Sequence, residues 1–195
     1  MIPPDSYRTN VSLCRRFALK TGSIVECGVW RGGMSAGIAD ALPGRLHYLF
    51  DSFEGLPPVR DEVDGETAIA FQRDKTHPCY HNNCTAEISF AERAMSISGA
   101  REYHLVKGWF KDTLPSFEPA EPVAVLRLDG DLYDSTIEAL TGLYRHVMPR
   151  GLIIVDDYYD WDGCSRAVHD FLAQAKSLDR IRNAGRVCYW FKQPY

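Results

Sequence analysis

At 195 residues the chain has the size of one ordinary α/β domain, long enough to bury a core without disulfide or metal staples. Apolar residues make up 45% and charged residues 25%, the balance of a globular protein, and a net charge of −4 offers no attraction to nucleic acid or an anionic membrane. No stretch approaches the roughly 20 apolar residues that cross a bilayer, and Met1-Ile2-Pro3-Pro4-Asp5 lacks the basic start and apolar run of a secretory signal.

Strand-like apolar runs alternate with helix-like segments, which predicts an α/β fold: a doubly wound, mostly parallel sheet in a single domain. The first strand is expected at Ser23–Cys27, with a helix from about Gly33 to Leu42 and a second strand at Leu46–Asp51. The segment from Phe53 to Cys84 is rich in Pro, Asp, Gly and His and reads as irregular. At that length it is expected to be a lid or acceptor-binding segment. A helix near Thr85–Ser98 and a third strand at Tyr103–Val106 follow, then a nearly all-apolar fourth strand at Val123–Asp129, as suits burial on both faces. A helix from Ser135 to about Val147 leads to a fifth strand at Leu152–Asp156, and a helix near Arg166–Ala175 comes next. Two short strands, around Ile181 and at Val187–Phe191, flank Asn183-Ala184-Gly185 and predict an antiparallel hairpin at the sheet edge. The six cysteines are scattered at 14, 27, 79, 84, 164 and 188, two of them within predicted strands, so a reducing cytoplasm is the expected setting.

Ligands of open α/β sheets sit beyond the carboxyl ends of the strands. There, after the first strand, stands Glu26-Cys27-Gly28-Val29-Trp30-Arg31-Gly32-Gly33, whose glycines permit a tight turn and close approach of a ligand to the backbone. Asp51 at the end of the second strand is placed to accept hydrogen bonds from a ribose diol. A dinucleotide fingerprint would carry glycine where Glu26 stands; a carboxylate there repels a pyrophosphate and suits a sulfonium or amino group, favouring S-adenosylmethionine over NAD. A plain tight strand-to-helix connection is the alternative for this loop. Gly108 and Trp109 follow the third strand, where an adenine could stack, with aromatic packing beneath the sheet as the alternative.

The fourth strand runs into Asp129-Gly130-Asp131 and the fifth into Asp156-Asp157. Both ends face one crevice, and four crowded carboxylates call for protonation or a cation. Oxygen donors without a His or thiolate cluster point to Mg²⁺, or to Mn²⁺ or Ca²⁺. Helix capping is the alternative, and Asp134 or Ser135 is expected to cap the helix that follows. Neighbours on a strand point to opposite faces, so Asp156 and Asp157 can share a metal only if the strand ends before them.

Val25–Gly33, Phe50-Asp51-Ser52-Phe53-Glu54-Gly55-Leu56-Pro57, Leu126–Tyr133 and Val155-Asp156-Asp157-Tyr158 with Gly163-Cys164 and Arg166-Ala167-Val168 resemble, in order, the motifs of the macrocin O-methyltransferase family. The resemblance covers most of the chain from Ser23 to Phe171. It implies a class I methyltransferase fold, S-adenosylmethionine and Mg²⁺. By the same resemblance Asp129, Asp156 and Asp157 bind the metal and Asp131 is the general base. Glu26, Gly28, Asp51 and Ser52 line the cofactor site, and we extend that site to Trp30, Arg31, Gly32, Gly33, Gly108 and Trp109. The chain departs from the family in the short stretch before the first strand and in its own lid sequence, which bear on acceptor and quaternary structure.

The expected reaction is methylation of a hydroxyl on a small molecule, a sugar or glycosylated natural product. The acceptor is the expected partner, homo-oligomerisation stays open, and neither nucleic acid nor membrane is expected. A vicinal diol suits chelation by a cation. A catechol or phenol acceptor, or a cofactor-binding module without turnover, is the alternative. Zinc at His77-Pro78-Cys79-Tyr80-His81-Asn82-Asn83-Cys84 is disfavoured because alternating ligands differ from the usual spaced pairs. Arg166 is expected either to orient the Asp156–Asp157 loop or to sit on a solvated helix start.

Overall fold

The computed structural model describes residues 2–19 and 21–194. A sheet of seven strands, β1 (Ser23–Cys27), β2 (Leu46–Asp51), β3 (Glu102–Lys107), β4 (Val123–Leu128), β5 (Val147–Val155), β6 (Arg182–Ala184) and β7 (Val187–Phe191), runs in the order β3-β2-β1-β4-β5-β7-β6. The first five are parallel, whereas β7 pairs antiparallel with both β5 and β6. Because β1 and β4 sit in the middle, every side chain on them is buried and alternate residues feed opposite cores.

On one face Ile24, Val125 and Ile154 pack with Leu13 and Cys14 of α1 (Pro4–Phe17) and with Met34 and Ile38 of α2 (Gly33–Ala41). Toward the β3 edge of that face, Leu49 meets Ala91 and Met95 of α4 (Ile88–Ser96). On the other face Val25, Leu126 and Ile153 pack against Leu140 of α5 (Tyr133–Leu143) and Val168 of α6 (Asp162–Gln174). Parallel crossovers thus place every βα junction at one sheet edge, where ligands bind.

The alternation read from the sequence stands, but α6 starts at Asp162 instead of near Arg166, Asn183 and Ala184 fall in β6 instead of the turn, and four further elements differ. Helix α1 was not foreseen: its short amphipathic repeat opens on Pro3-Pro4 and is stabilised by docking Leu13 and Cys14 on the sheet. The Phe53–Cys84 segment is not irregular throughout, since Gly65–Arg73 forms α3 with Ala68 and Ile69 buried. Strand β5 starts at Val147 rather than Leu152, because Pro149 and Gly151 sit in an irregular stretch with its pairing to β4 interrupted. Helix α5 begins at Tyr133, not Ser135, and takes its cap from elsewhere in the chain.

His47 on β2 is fully buried, and among the described residues neither ring nitrogen has a hydrogen-bond partner. Burial, assisted by the Arg45 charge, pushes its pKa down to about 4. The neutral ring is therefore the folded form, while the unfolded chain keeps the ordinary value near 6.5 and takes up a proton first as pH falls. Stability from this residue is constant above about pH 7 and declines toward pH 4, by up to about 3 kcal/mol. The His47→Leu variant should lack that component. In urea unfolding at stepped pH, the wild type should lose stability relative to the variant as the solution is acidified; parallel pH profiles would refute the assignment.

Candidate active site

A cavity of about 1510 Å³ opens beyond the carboxyl ends of β1, β2, β4 and β5. Its first wall is the turn after β1. Gly28 has φ +90, and a Cβ there would lie 1.8 Å from the Asp129 carbonyl oxygen, so only glycine lets the ends of β1 and β4 close on each other. The turn is pinned from β2: the Val29 and Trp30 N–H groups each donate to Asp51 Oδ2 at 2.7 Å, and Phe53 N–H donates to Oδ1 at 2.6 Å. Asp51 thus holds the loop as well as lining the cavity. Trp30 adopts φ 47, with the Arg31 guanidinium 4.6 Å from its ring centre and the His81 ring 5.4 Å away.

Gly28, Trp30, Arg31, Gly33 and Ser52 line the cavity, as do Gly108 and Trp109. Two residues assigned to the cofactor wall are placed otherwise. Gly32 turns inward with φ +76 and packs against Ala91. Glu26 is 1% exposed, and its carboxylate faces protein, not the cavity: it accepts from Ser35 Oγ and pairs with Arg127 at 2.7 Å. The expectation that Glu26 faces a cationic ligand is corrected by this inward pairing, which a buried arginine on the neighbouring strand imposes. Burial raises the Glu26 pKa to about 7, against the pull of Arg127.

The second wall carries the aspartates. Strand β5 ends at Val155 and Asp156 turns into helical backbone (φ −72, ψ −41), which satisfies the condition for Asp156 and Asp157 to point the same way. One oxygen each from Asp129, Asp156 and Asp157 lies within 4.8 Å of the others. Asp131 stands beside them, its N–H donating to Asp157 Oδ2 at 3.0 Å, with a left-handed φ of 58 that costs about 1–3 kcal/mol and persists only under constraint. Burial, then the Asp129 charge, pushes Asp131 up to about 8, and burial likewise raises Asp156 and Asp157. Among the described residues this trio is the group whose donors converge as metal ligands do; the His77–Cys84 stretch forms no such group.

Two residues of this wall went unrecognised in the sequence. Arg127, fully buried on β4, reaches Glu26 at 2.7 Å, Asp129 at 2.9 Å and Asp156 at 3.2 Å. Burial opposes its charge, yet these carboxylates together hold its pKa above the ordinary arginine value. Its Nε donates to Asn10 Oδ1 of α1 at 3.1 Å, and Asn10 Nδ2 donates to Asp156 Oδ1 at 2.7 Å. A lone arginine inside the apolar run Val-Ala-Val-Leu-Arg-Leu was the available signal, since such a charge must meet buried acids.

The segment between β2 and α4 roofs the cavity. Asp64, 2% exposed, accepts the Tyr133 N–H at 2.7 Å and so caps α5, in place of Asp134 or Ser135. Asp134 instead pairs with Arg60 at 2.8 Å, and Arg166 donates to the Glu62 carbonyl at 2.7 Å, away from the Asp156–Asp157 loop. Phe71 of α3 and Trp161 meet edge to face, 5.4 Å between ring centres, and line the roof with Leu56 and Pro57.

A sheet of this order with an antiparallel β7, and a glycine turn and acidic strand ends at one cavity, define the class I methyltransferase fold. The chain belongs to the macrocin O-methyltransferase (TylF) family, whose model matches residues 18–193. It is 36% identical over 182 residues to the demethyldecarbamoylnovobiocin O-methyltransferase of Streptomyces niveus, covering 87% of this chain and 65% of that one. It is 38% identical over 181 residues to the 8-demethyl-8-(2,3-dimethoxy-alpha-L-rhamnosyl)-tetracenomycin-C 4'-O-methyltransferase of Streptomyces olivaceus, with 87% and 65% covered. The chain therefore spans about two thirds of the length of these relatives, 65% in each case. The solved structure of the O-methyltransferase NovP superposes with a TM-score of 0.71 at 31% identity, over 97% of this chain and 79% of that one.

Replacing Arg127 by Met leaves the buried Glu26 and the partly buried Asp129 and Asp156 beside one another without the guanidinium that pairs with all three. The variant should lose about 3–5 kcal/mol of stability at pH 7.5. Its uncompensated carboxylates acquire raised pKa values, so the loss should shrink as pH falls and they protonate. Denaturant unfolding at pH 7.5 and 5.5 checks both parts; a loss that is equal at the two pH values would contradict the charge account.

Proposed function

We propose that the chain is an S-adenosylmethionine-dependent O-methyltransferase that methylates a hydroxyl of a sugar or glycosylated natural product with the help of a divalent cation, Mg²⁺ or Mn²⁺ or Ca²⁺. The observation that carries this reading is the meeting, in one cavity, of the Gly28–Asp51 turn with the Asp129, Asp156, Asp157 and Asp131 cluster. Family membership supports the class of reaction, and the acceptor in the name of one relative, a rhamnosyl tetracenomycin-C methylated at its 4'-oxygen, supports the acceptor class.

Three carboxylate oxygens within 4.8 Å fit a hard cation in donor type and spacing. Such a cation would supply Lewis acidity that lowers the pKa of a hydroxyl brought against it. S-adenosylmethionine would supply an electrophilic methyl group. The chain's own residues do the rest. Gly28 lets the ends of β1 and β4 close on each other at the cavity, and Asp51 holds the turn while lining it. Transfer forms a carbon–oxygen bond, breaks a carbon–sulfur bond and releases one proton. Asp131, which stands beside the trio with its N–H on Asp157 and lines the cavity, would take that proton as its carboxylate. The roof of Phe71, Trp161, Leu56 and Pro57 excludes water and offers an apolar surface to the carbon face of a sugar ring.

Calorimetric titration with S-adenosylmethionine, with and without Mg²⁺ and a panel of glycosides and diols, checks the scheme. Cofactor binding and a cation-dependent second event are expected. Asp129→Asn should abolish the cation-dependent event and leave cofactor binding. Asp131→Asn should retain both and turn over about 10²–10⁴-fold more slowly. Absence of cofactor binding under every condition would sink the methyltransferase reading.

A further inference from the structure

We infer that Asn10 is a positioning residue of the cation site, and that the N-terminal helix α1 is therefore a working part of that site; this rests on the cation reading above. Asn10 is fully buried in the middle of α1, on the face that otherwise presents Leu13 and Cys14. A mid-helix asparagine lowers helix propensity, and a buried amide is costly unless its donors and acceptor are engaged. Here they are. Nδ2 donates to Ser6 O at 2.9 Å and to Asp156 Oδ1 at 2.7 Å, and Oδ1 accepts from Arg127 Nε at 3.1 Å. Because a carboxylate only accepts and a guanidinium only donates, the amide can sit in one orientation alone.

The consequence falls on the aspartates. Asp156 Oδ1 accepts the Asn10 hydrogen bond, while Oδ2 lies 3.2 Å from an Arg127 guanidinium nitrogen as an ion pair, the same nitrogen 2.9 Å from Asp129 Oδ2. Each oxygen keeps a further lone pair for a cation, while the carboxylate planes are held in place. Asn10 does not line the cavity, so it acts through Asp156 and Arg127 and not on a ligand.

The chelator-stripped chain, without cofactor or acceptor, is titrated with Mn²⁺ and free ion is read by electron paramagnetic resonance. Asn10→Leu, close in size, should bind Mn²⁺ about tenfold or more weakly than wild type, the usual cost of losing an outer partner of a metal ligand. Leu13→Ala, which loosens the same helix without touching the polar contacts, should unfold more easily yet bind Mn²⁺ within about twofold of wild type, as expected when no ligand partner changes. If Asn10→Leu does not fold, Asn10→Ser carries the comparison, with the same loss expected. Wild-type affinity in the Asn10 variant, or an equal loss in Leu13→Ala, would overturn the inference while leaving the cation site standing. A wild-type chain that binds no Mn²⁺ would overturn both readings together.

Discussion

The Arg127 guanidinium sits with no exposed surface in the centre of the sheet, among Glu26, Asp129 and Asp156. An isolated charge in that position would be prohibitive, and so would the carboxylates without it. Their mutual neutralisation ties together the ends of β1, β4 and β5, and Asn10 adds α1 to the same knot. One glutamate is fully committed to the pairing, whereas Asp129 and Asp156 keep oxygens toward the cavity. The acidic cluster thereby rests on the rigid middle of the fold, which suits groups that must hold their geometry.

The cluster remains strongly acidic even so. Asp131, Asp156 and Asp157 are all raised in pKa, chiefly by burial, with the Asp129 charge adding to each. A single arginine cannot neutralise them all, and crowded carboxylates answer by protonation or by taking up a cation. The left-handed Asp131 belongs to the same logic: its backbone N–H is turned onto Asp157, and the turn is locked below by the Gly28–Asp129 contact. Strain of this kind is sustained by the surrounding packing, not by the turn itself.

What the sequence made readable follows from where information is local. Strands β1, β2 and β4 are apolar runs buried on both faces, so their pattern survives without knowledge of neighbours, and the acids at their ends are found by position alone. Glu26 was readable as a residue of the right strand but not as a partner of Arg127, since that pairing joins residues 101 positions apart. Asn10 and Asp64 were hidden for the same reason; each is an ordinary polar residue until the fold brings it 2.7 Å from a group far along the chain. Helix α3 was masked by the prolines, glycines and aspartates around it, although Glu66–Gln72 alone is a fair helix former.

The contrast between floor and roof separates two kinds of property. The floor is set by buried charges whose rearrangement is costly. The roof is joined to it by few polar ties, Asp64 to Tyr133, Arg60 to Asp134 and Arg166 to Glu62, two of them half-exposed and correspondingly weak. Between those ties it presents aromatic and proline surface to the cavity. Substitutions in Leu56, Pro57 or Phe71 can therefore reshape what the cavity accepts without disturbing the charge network beneath. Roof and floor are tied at the Asp64 end of α5, at those surface pairs and through the Phe71–Trp161 and Trp30–His81 ring contacts, so the proposed acceptor pocket can vary while the charges beneath it keep their partners.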